Sequence, residues 1–241
     1  MIKAVFFDFY NTLGRFDPAR EELQAVACCD FGIHVTPDGI TLGYAIADAY
    51  MAREVAKLPL RKRDSQGIKD FFAQYQALIL QGAGVNASLE TALKVSVRLR
   101  ELSYDFALYE DVTPTLDTLQ RQGFKLGLLS NNEGDINKLC ERIGLSPYLD
   151  FALNSEESGL AKPHPSIFLE ALNKARVEPD EALHVGDQYE SDVKGALGVG
   201  IHPVLLDRDG LKPAIQDCPT IRSLPELLDL LEKMQGEVTD G

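Results

Sequence analysis

Ile2-Lys3-Ala4-Val5-Phe6-Phe7-Asp8 opens the chain as a short run of bulky and branched apolar side chains that stops at a carboxylate. A run that is apolar at successive positions, rather than at alternate ones, predicts a strand buried on both faces of a parallel sheet. The second half of the sequence supplies its partners. Strands are predicted at Lys125 to Leu129, Phe151 to Leu153, Ala182 to Val185 and Pro203 to Leu206. Helical patterns lie between and around them at Thr113 to Gln122, Glu133 to Ile143, Pro165 to Ala175, Ser191 to Leu197 and Leu224 to Met234. Repeated αβ units of this length predict a doubly wound α/β core, a Rossmann-like parallel sheet with helices on both faces.

Between the first strand and the rest of this pattern the chain reads as helix. Asp17-Pro18 offers an N-cap followed by a proline at the first helical position, for a helix running to about Phe31 before Gly32. Thr36-Pro37 repeats that start signal, and helical periodicity returns over Gly67 to Leu80 and, after Gly82-Ala83-Gly84, over Ser88 to Leu102. The expected organisation is a catalytic core of residues 1–15 and 105–241 with an all-helical cap, 16–104, inserted after the first strand. The tail after Met234 is expected to fray.

Composition narrows the function. A net charge of −13 repels nucleic acid and anionic membrane, so neither is an expected partner, and an anionic small-molecule substrate would need local positive charge. No apolar run is long enough for a membrane span, and Asp8 interrupts the only N-terminal apolar stretch, so a signal peptide is not expected either. Cys28, Cys29, Cys140 and Cys218 lack metal-site spacing and read as reduced thiols, which suits a cytoplasmic location.

In an open parallel sheet ligands bind beyond the carboxyl ends of the strands. The residues found there are Asp8, Ser130-Asn131, Lys162 in Gly159-Leu160-Ala161-Lys162-Pro163, and Gly186-Asp187 with Asp192. Carboxylates, a hydroxyl and an ammonium on one edge can bind a divalent cation and a phosphate together. Any one of them alone would be an ordinary turn or surface residue.

Phe6-Phe7-Asp8-Phe9-Tyr10-Asn11-Thr12-Leu13 resembles the first motif of the haloacid dehalogenase-like superfamily, whose leading Asp is the nucleophile. Ser130 resembles the second motif, Lys162 followed by Pro163 the third, and Gly186-Asp187 with Asp192 the fourth. The resemblance spans nearly the whole chain and includes the position of the helical insertion. It implies a hydrolase in which Asp8, Tyr10, Ser130 and Lys162 are the catalytic positions. It also implies Mg²⁺ held by the Asp8 carboxylate, the main-chain carbonyl of Tyr10, Asp187 and Asp192. Asn11, Thr12, Arg15 and Asn131 are the candidate substrate-binding residues. A carboxylate nucleophile divides one difficult displacement into two easier ones, and a cation beside it screens the approach of two anions.

Tyr10 departs from the phosphatases of that superfamily, which carry a second Asp there as proton donor. Protonation of a poor leaving group contributes roughly 100-fold to 10,000-fold, so activated substrates such as acyl phosphates, or C–P chemistry, are favoured. Asp8-Phe9-Tyr10 with Ser130-Asn131 resembles instead the metal-independent 2-haloacid dehalogenases. The acidic Asp187 and Asp192 point the other way, because two carboxylates facing Asp8 without a cation would weaken the nucleophile. The expectation is therefore a Mg²⁺-dependent phosphohydrolase acting on a small phosphorylated metabolite. The alternatives are a haloacid dehalogenase and, in a different class, a non-catalytic sensor of phosphorylated ligands. Arg61, Lys62 and Arg63 form a basic cluster able to attract an anion. Of the four histidines, His164 is the one expected near the site, behind Lys162.

Overall fold

The computed structural model describes residues 1–58, 60–132, 134–155 and 161–236, and the described residues fall into two compact units: those in 1–15 and from 106 onward, and those in 16–105. The first unit is built on a six-stranded parallel sheet. Its strands are β1 (Ala4–Phe7), β4 (Lys125–Ser130), β5 (Phe151–Asn154), β6 (Ala182–Gly186), β7 (His202–Leu206) and β8 (Thr220–Ile221), in the order β5-β4-β1-β6-β7-β8. β1 is central, with Val5 opposite Leu126 on one side and Leu183 on the other.

Both faces are covered, as the unbroken apolar run of β1 requires. Val5 and Phe7 point into a cluster with α5 (Val112–Arg121), α6 (Ile136–Arg142) and α9 (Pro225–Gly236). Ala4 and Phe6 point into the opposite cluster, with α7 (Pro165–Ala175) and α8 (Lys194–Leu197). The period-two alternation along one strand thus feeds two cores. This is the doubly wound α/β fold.

The second unit holds α1 (Arg20–Cys29), α2 (Pro37–Lys57), α3 (Ser65–Gly82) and α4 (Leu89–Glu101). Thr36, Asp64 and Ser88 cap the last three, each accepting from the backbone N–H three residues on. α2 and α3 cross closely at Gly43, where a Cβ would lie 2.2 Å from the Ile79 carbonyl oxygen. No helix among the described residues is long and apolar enough to cross a membrane.

Several predicted boundaries move. Asp17 does not cap a helix: it ends β2 (Gly14–Asp17), which pairs with β3 (Asp105–Leu108) in a two-stranded sheet, and α1 begins later behind Ala19 without a side-chain cap. Extended pairing occupies the backbone that a helix start would need. The helix expected from Glu133 begins at Ile136, capped by Asp135, which accepts from the Lys138 N–H; Glu133 itself lies outside the described residues. The helix expected from Ser191 is a π-helical turn, Tyr189–Val193, running into α8. β8 was not expected, because a two-residue strand carries no periodicity.

Candidate active site

Asp8 follows β1, Ser130 ends β4 and Asp187 follows β6, so three adjacent strands deliver these candidate residues to one carboxyl edge. The Asp8 N–H donates to Val185 O at 2.9 Å, continuing the β1–β6 pairing by one residue and fixing where the carboxylate emerges. Beyond it the chain closes a tight turn in which Phe9 O accepts from the N–H groups of Leu13 and Gly14. Asn11 takes the left-handed conformation there, at φ 58°, which a short amide side chain tolerates. Arg208 pins this turn: one guanidinium nitrogen donates to Thr12 O at 2.8 Å, while the group grips Asp111 through two 3.0 Å contacts.

Lys162 is the centre of the site. Its side chain is 1% exposed, and Nζ donates to Asp8 Oδ1 at 2.7 Å and to Asp192 Oδ1 at 2.6 Å. Asn131 holds the backbone behind it. Its Oδ1 accepts from the Lys162 N–H at 2.7 Å and its Nδ2 donates to Lys162 O at 3.0 Å. The amide expected to bind substrate is thus engaged with the lysine's main chain.

Asp192 is engaged on both oxygens. Oδ1 receives Lys162 and lies 3.1 Å from His184 Nε2, and Oδ2 receives the Gln188 N–H at 2.9 Å and, more distantly, the Ser191 hydroxyl at 3.4 Å. Those contacts use about all four lone-pair positions of a carboxylate. Gly186 makes this possible, because a Cβ there would sit 2.3 Å from Asp192 Cγ.

The charges are consequently unequal. Burial pushes the Asp8 carboxyl up from 3.8 to about 6, with Lys162 opposing and Asp192 adding to the rise. Burial also works against ionisation of Asp192, but Lys162 and His184 overcome it and hold that carboxyl well below its usual value. For Lys162, burial favours the neutral amine, and Asp192 and Asp8 outweigh it to push the ammonium above its ordinary range.

Asp8, Asp187 and Asp192 each offer an oxygen within 4.8 Å of the others, all of them hard donors of the kind that suits Mg²⁺. Since the oxygens of Asp192 already serve nitrogen and hydroxyl donors, Asp8 and Asp187 are the carboxylates best placed to ligate. Asp187 also draws Lys212, whose Nζ lies 3.5 Å from Oδ2. The loop carrying Lys212 is shaped by Asp207, which accepts from the N–H groups of Leu211 and Lys212.

A profile of the haloacid dehalogenase-like hydrolases matches residues 2–200. The chain belongs to that family. A ribulose-1,5-bisphosphate 5-phosphatase of Halopiger xanaduensis is 32% identical over 100% of this chain and 99% of its own. A haloacid dehalogenase-like hydrolase domain-containing protein 3 of Bos taurus is 37% identical over 62% of this hydrolase, which spans 64% of that protein. Among solved structures, a 2-haloacid dehalogenase from Pseudomonas syringae pv. Tomato superposes with a TM-score of 0.57 at 27% identity, over 97% of this chain and 100% of that one.

The remaining predicted positions separate. Ser130 is buried, and its Oγ accepts from the Asn132 N–H, leaving the hydroxyl proton to donate. Thr12 is buried in the turn after Asp8, with no hydrogen-bond partner for Oγ1 among the described residues. Tyr10 is half-buried against the core, its backbone bridged to Gly14. Arg15 lines a recess of about 350 Å³ with Tyr109, Glu110, Asp111 and Arg208, and none of the three clustered aspartates lines it. Arg63 is spent on Leu58 O, Glu54 O and the Phe71 ring, Lys62 is exposed, and the Arg61 side chain lies outside the description, as do Gly159 and Leu160.

His164 caps α7, accepting from the Ser166 N–H, whereas His184, inside β6, touches Asp192. Lys212 was missed for want of any local pattern. His184 carried a faint signal, a polar residue within an otherwise apolar buried strand two positions before Gly186.

Proposed function

We propose that this hydrolase is a Mg²⁺-dependent phosphohydrolase acting on a small phosphorylated metabolite through an aspartyl-phosphate formed at Asp8. The observation that carries the reading is the approach of the Asp187 carboxylate to within 4.8 Å of Asp8, a second acid that a metal-free nucleophile would have no use for. The phosphatase from Halopiger, similar along its whole length, supports it.

Asp8 attacks phosphorus, its oxygen forming the new O–P bond as the bond to the leaving group breaks and the leaving oxygen keeps the electron pair. Water then displaces Asp8 and frees inorganic phosphate. Lys162 and the Ser130 hydroxyl face the phosphoryl oxygens, where negative charge is spread in the transition state. Asp8, Asp187 and the Tyr10 carbonyl are the groups that would hold Mg²⁺, which when bound screens the approach of carboxylate to phosphate. Arg15, exposed just beyond the turn that follows Asp8, is the candidate contact to the rest of the substrate; the Thr12 hydroxyl is buried inside that turn.

Tyr10 sustains the second reading, a metal-independent 2-haloacid dehalogenase using the same Asp8, to which the similarity with the Pseudomonas structure also points. The two separate in one assay. EDTA-stripped protein, with and without Mg²⁺, is given acetyl phosphate, p-nitrophenyl phosphate and 2-chloropropionate. Phosphate release that requires Mg²⁺ is expected; chloride release indifferent to Mg²⁺ would replace the phosphatase with the dehalogenase. Tightly bound phosphorylated ligand that is never turned over would favour a sensor.

Restoring the missing acid tests the reason given for substrate preference. Tyr10→Asp is expected to raise kcat on alkyl phosphates by about 100-fold while changing acetyl phosphate little, because only the poor leaving group needs the proton. Equal changes on both substrates would show that position 10 does not act on the leaving group.

A further inference from the structure

His184 is wholly buried in β6, in a strand whose other side chains are apolar. Its ring meets Phe168 edge to face, at 5.2 Å between centroids. Nδ1 is buried and has no hydrogen-bond partner among the described residues. An unsatisfied buried acceptor is a cost that leucine or methionine at the same place would avoid. Packing therefore gives no reason for an imidazole, and the contact of its other nitrogen does: Nε2 lies 3.1 Å from Asp192 Oδ1. A carboxylate held ionised can only accept, so Nε2–H of the imidazole donates to it.

The same Asp192 oxygen accepts from Lys162 at 2.6 Å. A carboxylate on a single Cβ can turn about its own bond, and the Gln188 N–H restrains only the other oxygen. We infer that His184 is a positioning residue, whose Nε2–H fixes the plane of the Asp192 carboxylate and through it holds the Lys162 ammonium against Asp8. The line His184, Asp192, Lys162, Asp8 runs from the buried middle of β6 to the nucleophile without touching substrate. Second partners of this kind set the orientation of groups that must be in place before charge develops. The inference rests on Lys162 acting on the transferred group, and deepens that reading.

The experiment compares His184→Gln, which keeps an N–H donor, with His184→Met, which fills space without one; both lose the edge-to-face contact with Phe168, so packing damage is common to the two. On acetyl phosphate with Mg²⁺, His184→Met is expected to lower kcat at least 10-fold at unchanged KM, and His184→Gln to recover most of it. A readout independent of turnover is the Nζ resonance of Lys162 in ¹⁵N-lysine-labelled protein, assigned by its absence from Lys162→Arg. A slowly exchanging ammonium signal is expected in the wild type and His184→Gln and broadening in His184→Met. Equal kcat losses in both variants, or an unaltered resonance in His184→Met, would overturn the positioning role. Full turnover in Lys162→Arg and Lys162→Met, with the resonance still responding to His184, would instead remove the catalytic reading of Lys162 and leave the tether standing.

Discussion

Asp8→Asn is expected to lose at least about 10,000-fold in turnover, the scale seen when a nucleophile is deleted from a site that otherwise remains assembled. The amide is close in size, can still accept from Lys162, and leaves the Asp8 N–H bond to Val185 O in place, so the fold has no cause to change. Its stability should move in the opposite direction from its activity. Burial pushes the wild-type carboxyl up to about 6, so the folded state favours the protonated form and ionising it costs stability. The cost is absent below the unfolded value of 3.8, develops between there and about 6, and is complete above it. In EDTA at about pH 8, Asp8→Asn is therefore expected to melt a few degrees above the wild type, with the gap closing by about pH 4. Saturating Mg²⁺ should raise the wild-type Tm and leave the variant nearly unmoved, since one of the proposed anionic ligands has gone. Melting curves at the two pH values, with circular dichroism to establish the fold, check each part. A variant that melts below the wild type at both pH values would mean that Asp8 is held comfortably ionised, and would undercut its description as a destabilised, reactive carboxylate.

The same physics decides what could be read in the sequence. Ala4 to Phe7 was legible because a strand buried on both faces needs apolar residues at successive positions, and those residues do divide between two cores. Strand ends were legible because Asp8, Ser130 and Asp187 interrupt apolar runs where the chain leaves the sheet. The contacts that assemble these ends were not. Asn131 reads as a substrate-binding candidate, with no sign that its amide grips both sides of the Lys162 peptide, 31 residues on. Asp192 reads as a ligand, but nothing in the sequence shows that His184, Lys162 and the Gln188 N–H also meet its oxygens. Lys212 lies in a loop with neither periodicity nor motif, and only the turn folded around Asp207 brings it to Asp187. Asp17-Pro18 misled because local start signals for a helix also suit the end of a strand, and pairing between Gly14–Asp17 and Asp105–Leu108 settled the competition from far along the chain.

Lys162→Met is expected to damage stability and chemistry together, unlike Asp8→Asn. Lys162 is the cation between two carboxylates in an almost fully buried setting, so its removal leaves Asp8 and Asp192 facing each other with no ammonium between them. Breaking a buried pair by removing one partner typically costs about 3–5 kcal/mol, because the charge left behind is neither solvated nor matched. For a chain of this size that corresponds to a fall in Tm on the order of 10 °C. The loss should depend on pH with a defined sign. In the wild type, Asp192 is held below its ordinary value first against burial by Lys162, so it contributes stability above about pH 4 that is lost as the pH falls. Without Lys162 both carboxyls rise, and the variant should bind protons where the wild type does not. Its Tm deficit is expected to be largest near pH 8 and to shrink toward pH 4, where neutral carboxyls no longer repel. Turnover should fall by about 100-fold to 1,000-fold even where the variant is folded, because the ammonium is preorganised against charge that grows in the transition state. Mg²⁺, if bound, should recover part of the stability by supplying positive charge beside Asp8, but little of the rate. A deficit independent of pH would assign the damage to lost packing of the lysine stem, and full recovery of turnover by Mg²⁺ would show that one cation is enough for the chemistry.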